Sequence, residues 1–392
     1  GYGAAFLTLA LVLAAIIWPG YDTRATPQDD PDLWVIRAGS AEQYGRINTE
    51  VLELETVKSV GNPSTVLQTE ESALVFVDGN RRFYVVDPKT PSNLDEDSED
   101  LVASPDGTRR VAVGGDQVLF VTEAGALFTA AVENPESYIP INPDEDVKVE
   151  EGETPPVYLA DAAAITPDGA VVAVQQAGPE EARLIVADGS TGEILSDKTV
   201  AITVGDSAQI AQVDGKWVVL DGAEGSLWVE GRSEAIQVDA ALTPLLRTSG
   251  TGDIYVADSE GLLLVDLSQG KTERVLTAAL GSKAARPTQI GEDVYAAWLI
   301  EGDTGGTLWS SGTEETRTLS YGGETLSTDA YPRFLINVTL GALTYTLTGW
   351  VWTVPEGTLV PSSQLWSQED EIVEEVITAE VKEVTEPKPP VA

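Results

Sequence analysis

An all-β ring of repeated sheets, a β-propeller, is the fold this sequence predicts, and three observations predict it. The first is repetition. Between about residues 64 and 367, one pattern recurs seven times: a short apolar strand, a tight turn, a second strand ending in Asp or a small polar residue, and a Gly- or Ser-bearing turn. A period of roughly 35–45 residues built only from strands belongs to this architecture. The second is that no apolar stripe of helical spacing crosses the region. The third is turn chemistry. Ser104-Pro105-Asp106-Gly107 leads into Val111-Ala112-Val113, and Thr166-Pro167-Asp168-Gly169 leads into Val171-Val172-Ala173-Val174. In both turns Pro sets φ and Gly supplies a positive φ.

Taken in order, residues 4–18 (AAFLTLALVLAAIIW) carry no charge, and Trp18-Pro19-Gly20-Tyr21 follows as an aromatic exit without an Ala-x-Ala cleavage pattern. The run spans about 22 Å as a helix against a hydrocarbon core of about 30 Å, and Tyr2 and Gly3 extend it. Residues 1–21 are therefore expected to be a transmembrane signal anchor. The acidic remainder would then lie outside the cell, single-pass at the plasma membrane. Gly1 in place of Met reads as the start of a fragment. Residues 22–31 (DTRATPQDDP) are a polar, Pro-marked linker. Residues 32–57 hold Leu33-Trp34-Val35-Ile36 and an alternating stretch from Val51 to Val57. They are expected to be extra N-terminal strands that close the ring and protect its edges.

The expected blades follow within 32–367. They centre on residues 74–88, 101–132, 166–188, 210–229, 254–266, 294–309 and 334–352. The expectation is seven blades, or eight if residues 32–57 form a sheet of their own. Residues 133–156 read as a polar, solvated insertion. Residues 368–392 read as an acidic, Pro-rich linker, because Pro387, Pro389 and Pro390 forbid a ladder.

Composition excludes several functions. The chain has 392 residues, 42% of them apolar, and a formal charge of -41. Such a surface repels nucleic acid and suits a high-salt setting, where screening removes self-repulsion. There are no cysteines and no histidines. Disulfides, thiolate zinc sites, thiol nucleophiles and every Ser-His triad are thereby removed. No residue is nominated as catalytic and no cofactor is expected.

Residues 45–54 (GRINTEVLEL), with Trp34-Val35 upstream, residues 350–366 (WVWTVPEGTLVPSSQLW) and the terminal Lys388-Pro389-Pro390-Val391-Ala392 resemble the N-terminal region of large actinobacterial surface proteins. That resemblance spans essentially the whole chain, and GRINTEVLEL is its most specific part. It implies a membrane anchor, then a propeller-like region, then tandem Ig-like or fibronectin type III domains. It supplies architecture and location rather than a mechanism.

Among candidate sites, the acidic runs at residues 95–100 and 144–146 offer oxygen ligands to Ca²⁺, but neither has the Gly of a calcium loop. The strand-ending Asp78, Asp87, Asp188, Asp258 and Asp266 are expected to accept bonds from backbone N–H groups in the following turns. Trp298, Trp309, Trp350 and Trp352 are the binding candidates, set against a packing role between sheets, with Trp350 and Trp352 on one strand face and Val351 on the other. The functional expectation is a non-catalytic recognition or scaffolding protein of the cell envelope. Its partner would be an envelope protein or a cell-wall glycan, with the membrane held through the N-terminal helix. A carbohydrate-binding or polysaccharide-active surface protein and an envelope sensor are the alternatives. The carbohydrate reading requires exposed aromatics beside paired carboxylates.

Overall fold

Most strands in this chain are joined to the next by short turns, so consecutive strands of a sheet pair antiparallel. The exception is the sheet of residues 283–319, where Lys283–Ala284 and Thr288–Ile290 both pair with Asp293–Leu299. The computed structural model describes residues 32–366 except 40, 50, 70, 71, 99, 151, 155, 242, 328–330, 338, 339 and 362–365. The described residues form eight sheets. We number them as blades in chain order: blade 1 (32–59), blade 2 (63–103), blade 3 (108–141), blade 4 (162–200), blade 5 (208–237), blade 6 (245–277), blade 7 (283–319) and blade 8 (333–354). The first strand of each blade borders a central channel.

Side chains alternate between the two faces of a strand, and here both faces are apolar because each blade packs on two neighbours. In Ala73–Val77 of blade 2, Ala73, Val75 and Val77 join Trp34, Ile36 and Tyr44 of blade 1. Leu74 and Phe76 join Val118 and Phe120 of blade 3. The same arrangement links each blade to the next, up to the cluster between blades 7 and 8. A last cluster returns from Ala342 and Val351 of blade 8 to Leu33, Val35 and Ile47 of blade 1. The ring is closed.

Eight blades correct the seven expected from the sequence. Residues 32–59 do not add strands to the last blade. They pair among themselves as Asp32–Ala38, Glu42–Asn48 and Glu53–Ser59. Strand Asp32–Ala38 has two apolar faces, Leu33 and Val35 toward blade 8 and Trp34 and Ile36 toward blade 2. A sheet apolar on both sides must be covered on both sides, so it occupies a full blade position. The seam with blade 8 carries Ala38 N–H donating to the Thr346 carbonyl at 2.8 Å. Across it Asn337 Nδ2 also donates to the Asp32 carbonyl at 3.2 Å. Part of the expected solvated insertion is likewise built into a blade. Ile139–Ile141 is the outer strand of blade 3, and Ile141 is buried against blade 4.

Nothing among the described residues supports the expected N-terminal transmembrane helix, which falls on residues 1–21. Every element of the described residues is a strand, and none of these residues forms a helix long and apolar enough to cross a membrane. The single-pass topology, the membrane partner and the extracellular placement all rested on that helix. Residues 1–21, the 22–31 linker and the 368–392 linker lie outside the described residues.

The turn assignments match in detail. Asp188 accepts from the N–H groups of Ser190 and Thr191, Asp266 from Ser268 and Gln269, Asp258 from Glu260 and Gly261, and Asp87 from Lys89. Asp78 differs: it accepts from the Arg82 guanidinium and from Asn62 Nδ2. In the Thr166 turn, Gly169 has φ +87°, and Ala170 N–H donates to Thr166 Oγ1 at 2.9 Å.

Candidate functional site

Because the spaces between blades are filled, open volume collects where the inner strands converge. Two cavities, about 920 and about 880 Å³, share Gln68, Val111, Thr248, Arg286 and Ile336 and so form one channel. Glutamines on the inner strands tie its wall together. Gln68 accepts from Trp34 N–H of blade 1 at 2.7 Å and donates toward the Ile336 carbonyl of blade 8 at 3.4 Å. Gln209 of blade 5 donates to the Pro244 carbonyl and accepts from Leu246 N–H beside it in blade 6.

The charge of the wall is opposite to that of the protein. Lys283, Arg286 and Arg333 line the first cavity, and among the described residues no carboxylate does. Arg110 and Arg286 line the second, where Asp116 and Glu133 also lie. Arg110 precedes Val111 on the inner strand of blade 3, and Arg286 leads into the inner strand Thr288–Ile290 of blade 7. In a ring of eight, these blades are opposite one another. Each guanidinium makes one hydrogen bond, to the adjoining inner strand: Arg110 Nη2 to the Ala163 carbonyl at 2.8 Å, and Arg286 Nη1 to the Leu246 carbonyl at 3.1 Å. Neither has an ion-pair partner among the described residues.

Arg110 is exposed to the channel and Arg286 half-buried, each ringed by the protein atoms of the channel wall. Desolvation, and then the positive charge of Arg110, push the Arg286 pKa down to about 10. Desolvation and neighbouring Arg109 lower that of Arg110. Both groups remain cationic at neutral pH, so the channel presents fixed positive charge. In the wall of the first cavity, Lys283 Nζ lies 4.5 Å from the centre of the Tyr331 ring.

The tryptophans singled out from the sequence lie elsewhere, each 4% exposed or less. Trp298 and Trp309 of blade 7 pack on blade 6. Trp298 Nε1 donates to the Asp258 carbonyl at 2.8 Å, and Trp309 meets Tyr255 edge-on at 5.3 Å. Trp350 and Trp352 of blade 8 pack on blade 7 at 6.0 Å from each other, with Val351 on the opposite face. None offers an open ring face for a sugar to stack on. The described residues contain no group of three or more His, Cys, Asp or Glu placed to hold a metal ion. Asp144, in one of the acidic runs, is engaged by Arg183 Nη1 at 2.8 and 3.0 Å.

Sequence reasoning missed Arg110 and Arg286, although a signal existed. Each stands beside a run of small apolar residues, Val111-Ala112-Val113 and Ala284-Ala285, in a chain with only 23 basic against 64 acidic residues. A cation kept on an inner strand of so acidic a protein marks itself.

No protein-family model matches the chain, and no curated protein matches it. Solved structures do. Dihydro-haem d1 dehydrogenase NirN in complex with DHE is 12% identical with a TM-score of 0.54, covering 85% of this chain and 72% of that one. BamB from Moraxella catarrhalis is 13% identical at a TM-score of 0.42, covering 80% and 88%. Apo AztD from Citrobacter koseri is 9% identical at 0.46, covering 76% and 96%. The likeness to NirN is one of fold alone, and the other two are more distant. The chain is a β-propeller. None of these likenesses bears on an actinobacterial source or on Ig-like or fibronectin type III modules.

Proposed function

We propose that this protein is a non-catalytic recognition propeller that holds a ligand in its central channel. One observation carries the reading: the faces between blades are sealed, while the inner strands enclose a channel of ligand size. A chain without histidine or cysteine lacks the commonest proton-transfer and nucleophilic groups, which supports binding without chemistry. On the likeness of residues 45–54 to actinobacterial proteins with Ig-like or fibronectin type III modules, the ring is one recognition module among several.

The test is a thermal-shift screen of small molecules against the chain and its Ala112→Trp variant, because Ala112 borders both cavities. Compounds that raise the melting temperature of the native chain, lose that effect in the variant and are recovered unaltered are the expected result. Hits indifferent to the variant would move binding to the outer surface. Chemically converted hits would make the protein an enzyme.

A further inference from the structure

Several arginines that hold this fold together spend two or more donors on it. Arg247 uses Nε for the Thr248 carbonyl, Nη1 for those of Thr251 and Asp253, and Nη2 for Gln289 Oε1. Arg274 grips both oxygens of Asp258, and Arg183 those of Asp144 and Asp197. Arg110 and Arg286 break that pattern. Each keeps one bond to a wall carbonyl, which fixes its orientation, and leaves its other donors to the channel. Both side chains keep accessible surface toward the channel, Arg110 exposed and Arg286 half-buried, so two like charges stand on one channel wall without a paired counter-charge among the described residues. The rest of the chain, at net charge -41, could readily supply carboxylates there, yet neither guanidinium is paired with one among the described residues.

We propose that the channel is a binding site for an organic anion with an apolar body, its charged group held between Arg110 and Arg286. This rests on the channel-binding reading above and names the ligand class. Planar guanidinium donors suit carboxylate and phosphoryl oxygens. Val66, Val111, Leu245 and Phe334 supply the wall for the body of the ligand, and Lys283 and Arg333 extend the positive field toward one mouth. The cavity volume admits a molecule of drug or metabolite size. Nucleic acid does not fit, because the acidic exterior repels a long polyanion.

Two fluorescent probes of similar shape separate the possibilities: anionic 8-anilinonaphthalene-1-sulfonate and neutral N-phenyl-1-naphthylamine. The native chain is expected to bind the anion saturably and more tightly than the neutral probe. Arg110→Gln and Arg286→Gln should each weaken the anion about tenfold or more while leaving the neutral probe unchanged. Arg286→Lys, which keeps the charge, should recover part of the loss. Equal binding of both probes by the native chain overturns the anion assignment and leaves channel binding standing, and this comparison needs no variant to fold. Binding of neither probe removes both the assignment and the channel reading.

Discussion

The indole of Trp366 lies on Gly349, its Nε1 donating to the Gly349 carbonyl at 3.2 Å, and this contact covers the seam where the last blade meets the first. Gly349 has φ +74°, and a Cβ there would sit 2.7 Å from Trp366 Nε1. Gln43 of blade 1 donates to the Trp366 carbonyl at 3.1 Å. A side chain beyond the last blade thus holds together sheets that exchange no strand. Trp366→Ala should cost about 3–5 kcal/mol in urea unfolding, and Gly349→Ala on the order of 1 kcal/mol or more. An unchanged midpoint for Trp366→Ala would return the seam to its aliphatic contacts alone.

Asp258 is fully buried, with Arg274 Nη1 and Nη2 donating to its two oxygens at 2.9 Å each. Burial by itself raises its pKa, but Arg274 and the N–H groups of Ala241 and Glu260 outweigh that and hold it below the usual value. A depressed carboxylate pKa contributes stability above the unfolded pKa, near 4, that is lost as pH falls through the folded value. Asp258→Asn should cost about 3 kcal/mol at neutral pH. The gap from the native chain should narrow below about pH 4. A gap that stays constant through that range would show that the charge contributes nothing.

Arg183 ties the acidic segment after blade 3 to blade 4 through Asp144, while its guanidinium stands 5.9 Å from the Tyr158 ring centre. Arg183→Ala should free this segment locally and cost global stability only about 1 kcal/mol. A Glu-specific protease reads the difference at Glu145 and Glu153, where cutting should accelerate severalfold. Equal cutting rates would mean that Ile141 and the strand around it anchor the segment instead.

The net charge of -41 makes self-repulsion a general destabilising term. Raising NaCl from about 0.01 M to 1 M shortens the screening length from about 30 Å to about 3 Å. The melting temperature should rise over that range. A fall would show that the few ion pairs, such as Arg183–Asp197 and Arg274–Asp258, outweigh the repulsion.

Particular elements show what could be read in advance. The Thr166 turn, the Asp caps at 188, 258 and 266, and the opposite facing of Trp350 and Val351 depend on neighbours a few residues away, so the sequence carries them directly. Strand Asp32–Ala38 was legible as a strand, but its place in a blade of its own stood only as the alternative to ring-closing strands. Its partners on one face belong to residues 342–366, some 300 positions away. The tryptophans were legible as large and apolar, and their burial between sheets followed only from which sheets met.

The sequence by itself determined an all-β ring of repeated meanders, because alternation and turn chemistry are short-range properties that each repeat states again. Only the tertiary structure decided the number of blades, the clasp at Trp366 and the facing of Arg110 and Arg286. These depend on closure: the number of twisted sheets that complete the circle determines which residues stand opposite each other across the channel.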